Sequence, residues 1–477
     1  MRSRRLVGLS AVAIGLGVGC VQILGLQEAV LDTSLCSDPV TGYVVPCPPD
    51  GGAGASTGAS SASASSTGSG TNCTPSMPIA CVGANTLELC DQAGTGYESV
   101  TCALGCSPSP DPHCAQVVPT GIAPVEDFNA AGLADTTLDT ANIVHTDTGL
   151  IEGGMRVASS NPTALSVASG IGFHVVTSGG NSVGVFVFDK LNVTGAPLVI
   201  VGTHPAVFLA NGDVTIAAIS VAADQTTNTP GPGGFAGGTP TTPNGLGPGG
   251  GIGGNWNVFF GGAGGAGHGD HGGMGATLMS ATGGAGGLPY DALTLAVLTG
   301  GSGGGASATG TSTGGAGGGA LQIVSQTSIT IVGGIAAGGA GGRGNMDDSC
   351  GGGGAGGDIL LESMAISVGN AGYLVAGGGG GGGVTNGNAA GSGNTESLAG
   401  GGGTCSLGIC GGQGAYSGQT FGSDGTVGGQ TAGCGGGAAG RIRINTLTGA
   451  ALLSATSSLY VPSSMSGLLT QGVATIQ

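Results

Sequence analysis

The chain has 477 residues, of which 111 are glycine, while charged residues make up 7% and aromatic residues 3%. An ordinary helical enzyme is excluded, because each Gly in a helix costs about 1 kcal/mol relative to Ala, and collagen is excluded because stretches such as 247–254 and 377–383 break the every-third-Gly rule. A mean hydropathy of +0.34 is too high for a disordered polar chain, and a net charge of −17 repels phosphate backbones, so nucleic acid is not a partner.

Arg2, Arg4 and Arg5 precede an apolar run, Leu6–Val18, broken only by Gly and Ser10. This arrangement predicts a secretory signal over residues 1–19, too short to span a membrane comfortably. Leu16-Gly17-Val18-Gly19-Cys20 resembles the lipobox of bacterial lipoproteins, with its Leu one place further from the Cys than that family prefers. The resemblance implies lipidation of Cys20 and anchoring of a segment over residues 20–50 next to the membrane. Three of the eight basic residues lie in 1–19 and none of the 25 acidic ones, so the exported chain is more acidic still.

The 13 cysteines become an even set once Cys20 is set aside. They fall into three even groups: Cys36 and Cys47; Cys73, Cys81, Cys90, Cys102, Cys106 and Cys114; and Cys350, Cys405, Cys410 and Cys434. Even local groups in an exported chain predict disulfides within each group, with the connectivity left open. The competing reading is zinc, for which Cys102-x3-Cys106 and the neighbouring His113 have broadly suitable spacing. Residues 73–114 carry too little apolar sequence to bury a core, so this Cys-rich module should depend on its crosslinks.

Residues 51–72 form a Gly/Ser/Ala linker with a reach of roughly 25 Å. From 115 to 225 short β-branched and aromatic runs alternate with Gly, Asn, Pro and Asp, which predicts short strands. A Gly-rich insertion covers 226–316, and 317–477 holds Gly-rich repeats and a C-terminal cap. The repeated units start at Ala206-Val207-Phe208-Leu209, Ala320-Leu321-Gln322-Ile323, Asp358-Ile359-Leu360-Leu361 and Arg441-Ile442-Arg443-Ile444. A single unit cannot bury its apolar face, whereas stacked units can. The predicted fold is all-β, a right-handed parallel β-helix-like solenoid with long Gly-rich loops. Ile323, Ile329, Ile331, Ile335, Leu360, Ile366, Val368 and Leu374 are expected to line one interior.

These units resemble the repeats of filamentous-haemagglutinin-type adhesins, mainly over 205–222, 318–338 and 356–376. The tracts 231–275, 300–319 and 377–403 resemble the glycine stretches of PE-PGRS proteins, although no PE-type helical domain precedes them. Both resemblances imply a surface or adhesive protein rather than a reaction. They place it at the outer membrane or cell surface, its partners the membrane through the lipid and surface glycans or other cells. The tracts themselves are read in two ways: mobile loops, or extended threefold strands packed backbone to backbone.

Candidate chemistry is sparse. His268, Asp270 and His271 are suitable metal donors, but no fourth partner is evident and a solvated loop is expected, so no metal or cofactor is assigned. Gly267-His268-Gly269, Asp347-Asp348, Asn394-Thr395-Glu396 and Arg441-Ile442-Arg443 resemble motifs of polygalacturonase-type hydrolases, but their order and spacing disagree. Glycoside hydrolysis needs two carboxylates at a fixed separation, so no catalytic residue is assigned and a polysaccharide-acting enzyme stays the alternative. Trp256, Val258, Phe259 and Phe260 are expected to pin the largest tract; an exposed Trp256 and Phe259 would instead suit glycan binding. His145, His174 and His204 read as isolated edge or core residues.

Overall fold

In the computed structural model, residues 73–477 are described except 140, 179, 256–260, 308–310, 345–349, 384–385, 388–401, 404–409, 429–430 and 455–459. Before residue 73 only the backbones of β1 (Leu35–Ser37) and β2 (Val44–Pro46) are described; they pair antiparallel with Cys36 opposite Val45. The expectations for Cys20, Cys47 and the linker lie outside the described residues. So do those for Trp256, Val258, Phe259, Phe260, Asp347, Asp348, Asn394, Thr395, Glu396 and Cys405.

Residues 70–477 make one compact unit. It begins with a three-stranded antiparallel sheet of β3 (Pro78–Cys81), β4 (Thr86–Cys90) and β5 (Tyr97–Thr101), followed by the pair β6 (Cys106–Ser107) and β7 (His113–Cys114). Disulfides join Cys73 to Cys90, Cys81 to Cys106 and Cys102 to Cys114. Leu87, Cys90 and Cys102 are the buried apolar residues described within 73–114. Crosslinks therefore take the place of a core, and the pairing of all six cysteines leaves no thiolate for zinc.

The rest of the fold is β throughout the described residues, apart from a 3-10 turn at Val125–Asn129. The strands are β8 (Thr136–Leu138), β9 (Ile143–His145), β10 (Ser166–Ala168), β11 (Ile171–Ser178), β12 (Asn181–Phe188), β13 (Leu191–Val193), β14 (Leu198–Val201), β15 (Ala206–Ala210) and β16 (Val214–Ser220). Then come β17 (Leu321–Ala336), β18 (Asp358–Val368), β19 (Tyr373–Val375), the small hairpin β20 (Val427–Gly428) and β21 (Thr431–Ala432), β22 (Arg441–Thr446), β23 (Tyr460–Val461) and β24 (Leu469–Val473). Fifteen of them join in one curled sheet.

Within that sheet three parallel ladders rise in chain order. The first aligns Phe186, Phe208, Ile323, Leu361 and Ile444 on β12, β15, β17, β18 and β22. The second aligns Leu138, Val193, Ile216, Ile331 and Val368. The third aligns Leu198, Ile219, Ile335, Leu374 and Tyr460. All of these side chains belong to one buried cluster, and the β10–β11–β12 antiparallel pairing closes the first ladder at its N-terminal end. A β-branched residue repeated at one register position packs on its copies above and below, so each tier completes the next.

One expected interior residue lies elsewhere. Leu360 is buried but pairs with Gln322 and Arg443 on the other side of the ladder, while Ile359 and Leu361 face the interior cluster. The run Ile359-Leu360-Leu361 is apolar at both parities of the pleat, so alternation alone does not set its facing. That outer side is itself covered. Val183, Val185, Val187, Val207, Leu209 and Val324 pack against Val117, Ala123 and Phe128 from the segment leaving the Cys-rich module. The segment is paired in turn with the C-terminus, through Val117 and Ile476 and through Gln116 and Gln477.

The described parts of the glycine tracts are ordered. Gly264 donates its N–H to Ile252 O, Gly265 to Gly273 O and Ala266 to Gly353 O, and Gly267 returns to the first neighbour at Gly249 O, all at 2.8–2.9 Å. Three successive residues thus bind three different neighbouring tracts and the fourth repeats the first. That is the periodicity of an extended helix with three residues per turn, which makes no hydrogen bonds of its own. Among the described tract glycines only Gly233 and Gly247 have the left-handed φ that specially favours Gly. Many of the others are glycine for want of space: a Cβ at Gly265 would lie 1.9 Å from Gly436 O. The disulfide Cys350–Cys434 joins two of these tracts, and Cys410 is likewise disulfide-bonded.

Ile331 is fully buried within the second ladder, whereas its neighbour Thr330 is on the opposite face and partly exposed. Ile331→Ala should cost about 2–5 kcal/mol, and Thr330→Ala less than about 1 kcal/mol. Denaturant unfolding of the two variants measures this directly; equal small losses would mean the tiers do not share a core.

Candidate functional site

The tracts leave and re-enter the sheet at one corner: after β16, after β17 and after β19, returning at β17, β18 and β22. Where the tract containing His268 meets this corner, three separated segments converge. Asp358 opens β18 and is the register partner of Arg441, which opens β22. Tyr290 and Asp291 follow the tract that ends at 288. His268 Nε2 lies 3.4 Å from Asp358 Oδ1 and 3.5 Å from Asp291 Oδ2. His268 and Asp358 are completely buried, and the Asp291 side chain keeps 21% of its exposure.

Each member is held by fixed neighbours. His268 Nδ1 is 2.6 Å from Gly356 O, which sets that nitrogen as the donor. Its ring stacks on Tyr290 with centroids 4.4 Å apart. The Tyr290 hydroxyl donates to Gly300 O at 2.8 Å and accepts from Ser302 Oγ at 3.1 Å. Arg441 donates to Tyr290 O. His268 Nε2 and Asp358 Oδ1, however, have no hydrogen-bond partner among the described protein atoms.

The electrostatics follow from burial and proximity. Burial opposes a charge on His268, but Asp358, Asp291 and the Gly356 carbonyl outweigh it and raise its pKa above 6.5. Burial pushes the Asp358 carboxyl up to about 6, against the opposing pull of His268. Burial also raises the Tyr290 phenol, so that hydroxyl stays neutral. Two carboxylates and an imidazole directed at one small volume can hold a proton or a cation.

Sequence proximity pointed to the wrong partners for His268. Asp270 accepts from Thr420 Oγ1 at 2.5 Å and His271 meets the edge of Phe421, so neither joins the cluster. Asp291 and Asp358 are 23 and 90 residues downstream of His268, and only the tract packing unites them. The one legible signal was that Asp358 stands where a strand begins, directly after seven residues of which six are Gly. His145, His174 and His204 are not isolated: they face Glu152 at 2.8 Å, Asp127 at 2.6 Å and Asp147 at 3.8 Å.

A second buried carboxylate has a different character. Glu362 accepts from Thr120 N, Thr120 Oγ1, Gln322 Nε2 and Asn445 Nδ2 at 2.6–2.9 Å. Both oxygens are fully used, and the charge clamps the 115–130 segment onto the first ladder. A cleft of about 520 Å³ lies between the Cys-rich module and that segment, walled by Pro78, Leu87, Pro112, His113, Val125 and Glu126. Among the described residues no helix is long and apolar enough to cross a membrane.

Glu362→Gln replaces an acceptor oxygen with a donor that faces other donors. It should lower stability by about 1–3 kcal/mol, the cost of leaving buried polar groups unpaired. Chemical denaturation tests this, and unchanged stability would show that the clamp is dispensable. No family model, curated protein or solved structure matches this chain.

Proposed function

We propose that this is an exported, lipid-anchored cell-surface protein with a structural or adhesive role, and that no catalytic step belongs to it. The observation that carries the reading is the set of disulfides: three within 73–114 and one between distant glycine tracts. Such bonds persist in oxidising compartments and are rare in a reducing cytosol. In this proposal the three ladders are the faces of a right-handed parallel β-helix-like solenoid, and the glycine bundle is a rigid side body built on its corner. Short polar turns at its margin, such as Asp224–Thr229 and Thr239–Thr242, are tied by their own bridges and side-chain hydrogen bonds. Rigid turns bearing hydroxyls suit contact with glycans or another cell surface, since little conformational entropy is lost on binding.

The anchor is tested at Cys20. In a bacterial host the full chain should partition into detergent and accumulate unprocessed under globomycin, and Cys20→Ser should abolish both. Unchanged partitioning of Cys20→Ser would refute the anchor. Non-reducing peptide mapping should return the three module pairs and Cys350–Cys434; free thiols throughout would move the protein to a reducing compartment and sink the surface role.

A further inference from the structure

We propose that His268, Asp291 and Asp358 form a binding site for a single divalent transition ion, zinc by its donor set, that ties the glycine bundle to the β-sheet. Three observations carry this. First, His268 Nε2 and Asp358 Oδ1 are buried, face each other, and lack any hydrogen-bond partner among the described protein atoms. Groups of this kind are expensive to bury unless something satisfies them.

Second, the distances suit a metal better than a hydrogen bond. An N–H···O bond spans about 2.7–3.2 Å, whereas Nε2 stands 3.4 and 3.5 Å from the two carboxylate oxygens. Zinc binds His nitrogen at about 2.0–2.1 Å and carboxylate oxygen at about 2.0–2.2 Å. Two ligands at the corners of a tetrahedron with such bonds are separated by roughly 3.4 Å. All three donor atoms lie within 4.8 Å of one another, and water would complete a four-coordinate ion held by three protein ligands.

Third, the surroundings prepare the imidazole for a metal. Its Nδ1–H is committed to Gly356 O, so a neutral ring presents the Nε2 lone pair toward the two carboxylates. Without a cation that arrangement is repulsive; with one, the Gly356 carbonyl acts as the outer partner that fixes the tautomer of metal-bound histidines. Two carboxylates balance the charge of a divalent ion. The partly exposed Asp291 supplies an entry path. An imidazole among the donors disfavours calcium and magnesium, which take oxygen ligands. The competing account is a protonated His268 held between two carboxylates with no metal.

The test uses the full-length oxidised protein, stripped with EDTA, dialysed, and titrated with zinc chloride and in parallel with cobalt chloride. Expected are one zinc ion per chain after gel filtration, a tetracoordinate cobalt spectrum, and a zinc-induced shift of the His268 Nε2 signal in nitrogen NMR of the wild type. Asp291→Asn, at the exposed rim, should keep the fold by circular dichroism and weaken zinc binding at least tenfold; Asp358→Asn should abolish it. The proposal is overturned if wild-type protein binds no stoichiometric zinc at micromolar concentration. It is equally overturned if the His268 signal keeps an imidazolium shift in excess zinc, or if Asp291→Asn binds zinc as tightly as wild type. Because the NMR and stoichiometry are read on wild-type protein, a misfolded Asp358→Asn does not affect the decision.

Discussion

A carbonyl oxygen 1.9 Å from the place where a Cβ would sit leaves room for a hydrogen atom and nothing larger. That constraint recurs across the glycine bundle: at Gly265 against Gly436, at Gly303 against Ala236 and at Gly354 against Ala316 the intruding atom would meet a neighbouring backbone at about 2 Å. Backbones this close can exchange hydrogen bonds in three directions at once. Each such bond has a net worth of about 0.5–1.5 kcal/mol, and many are needed to offset the extra entropy that Gly loses on ordering. The bundle therefore holds together through its main chain. Its scattered alanines, including Ala263, Ala316 and Ala340, are buried where a single methyl fits.

The β-sheet supplies what the bundle lacks. Glycine tracts have no side chains to fix their relative register, so register must come from their ends. The insertions that carry the tracts begin and end at strands whose neighbours are aligned residue by residue, and the interior row of Ile, Val, Leu and Phe sets that alignment. The Cys350–Cys434 bond pins a further point within the bundle itself. Segment 115–130, clamped through Glu362, covers the outer side of the first ladder. Polar and apolar contacts outside the bundle thus set the geometry that its hydrogen bonds then reinforce.

The β-branched repeats were readable because strand alternation has a period of two and each unit returns to the same composition. The facing of Leu360 was not, since Ile359, Leu360 and Leu361 offer an apolar residue at either parity. The glycine tracts were ambiguous for a deeper reason: a glycine required by close packing and a glycine tolerated in a loop leave the same letter. The even grouping of cysteines foreshadowed pairing within groups, while the connectivity needed coordinates. At the candidate site His268 was visible as an unusual residue in a glycine tract. Asp291 and Asp358 became its neighbours only through contacts spanning up to 90 residues, which no local spacing encodes.

Backbone hydrogen exchange on the glycine tracts tests the central claim most directly, because exchange reports amide hydrogen bonding without a side-chain probe. The N–H groups of Gly264, Gly265, Ala266 and Gly267 should exchange as slowly as those of Ile323 and Ile331 in the sheet, with protection lost together on global unfolding. Exchange of these four amides at the rate of an unstructured peptide, while Ile323 and Ile331 stay protected, would contradict a packed glycine bundle and leave only the β-sheet as folded structure.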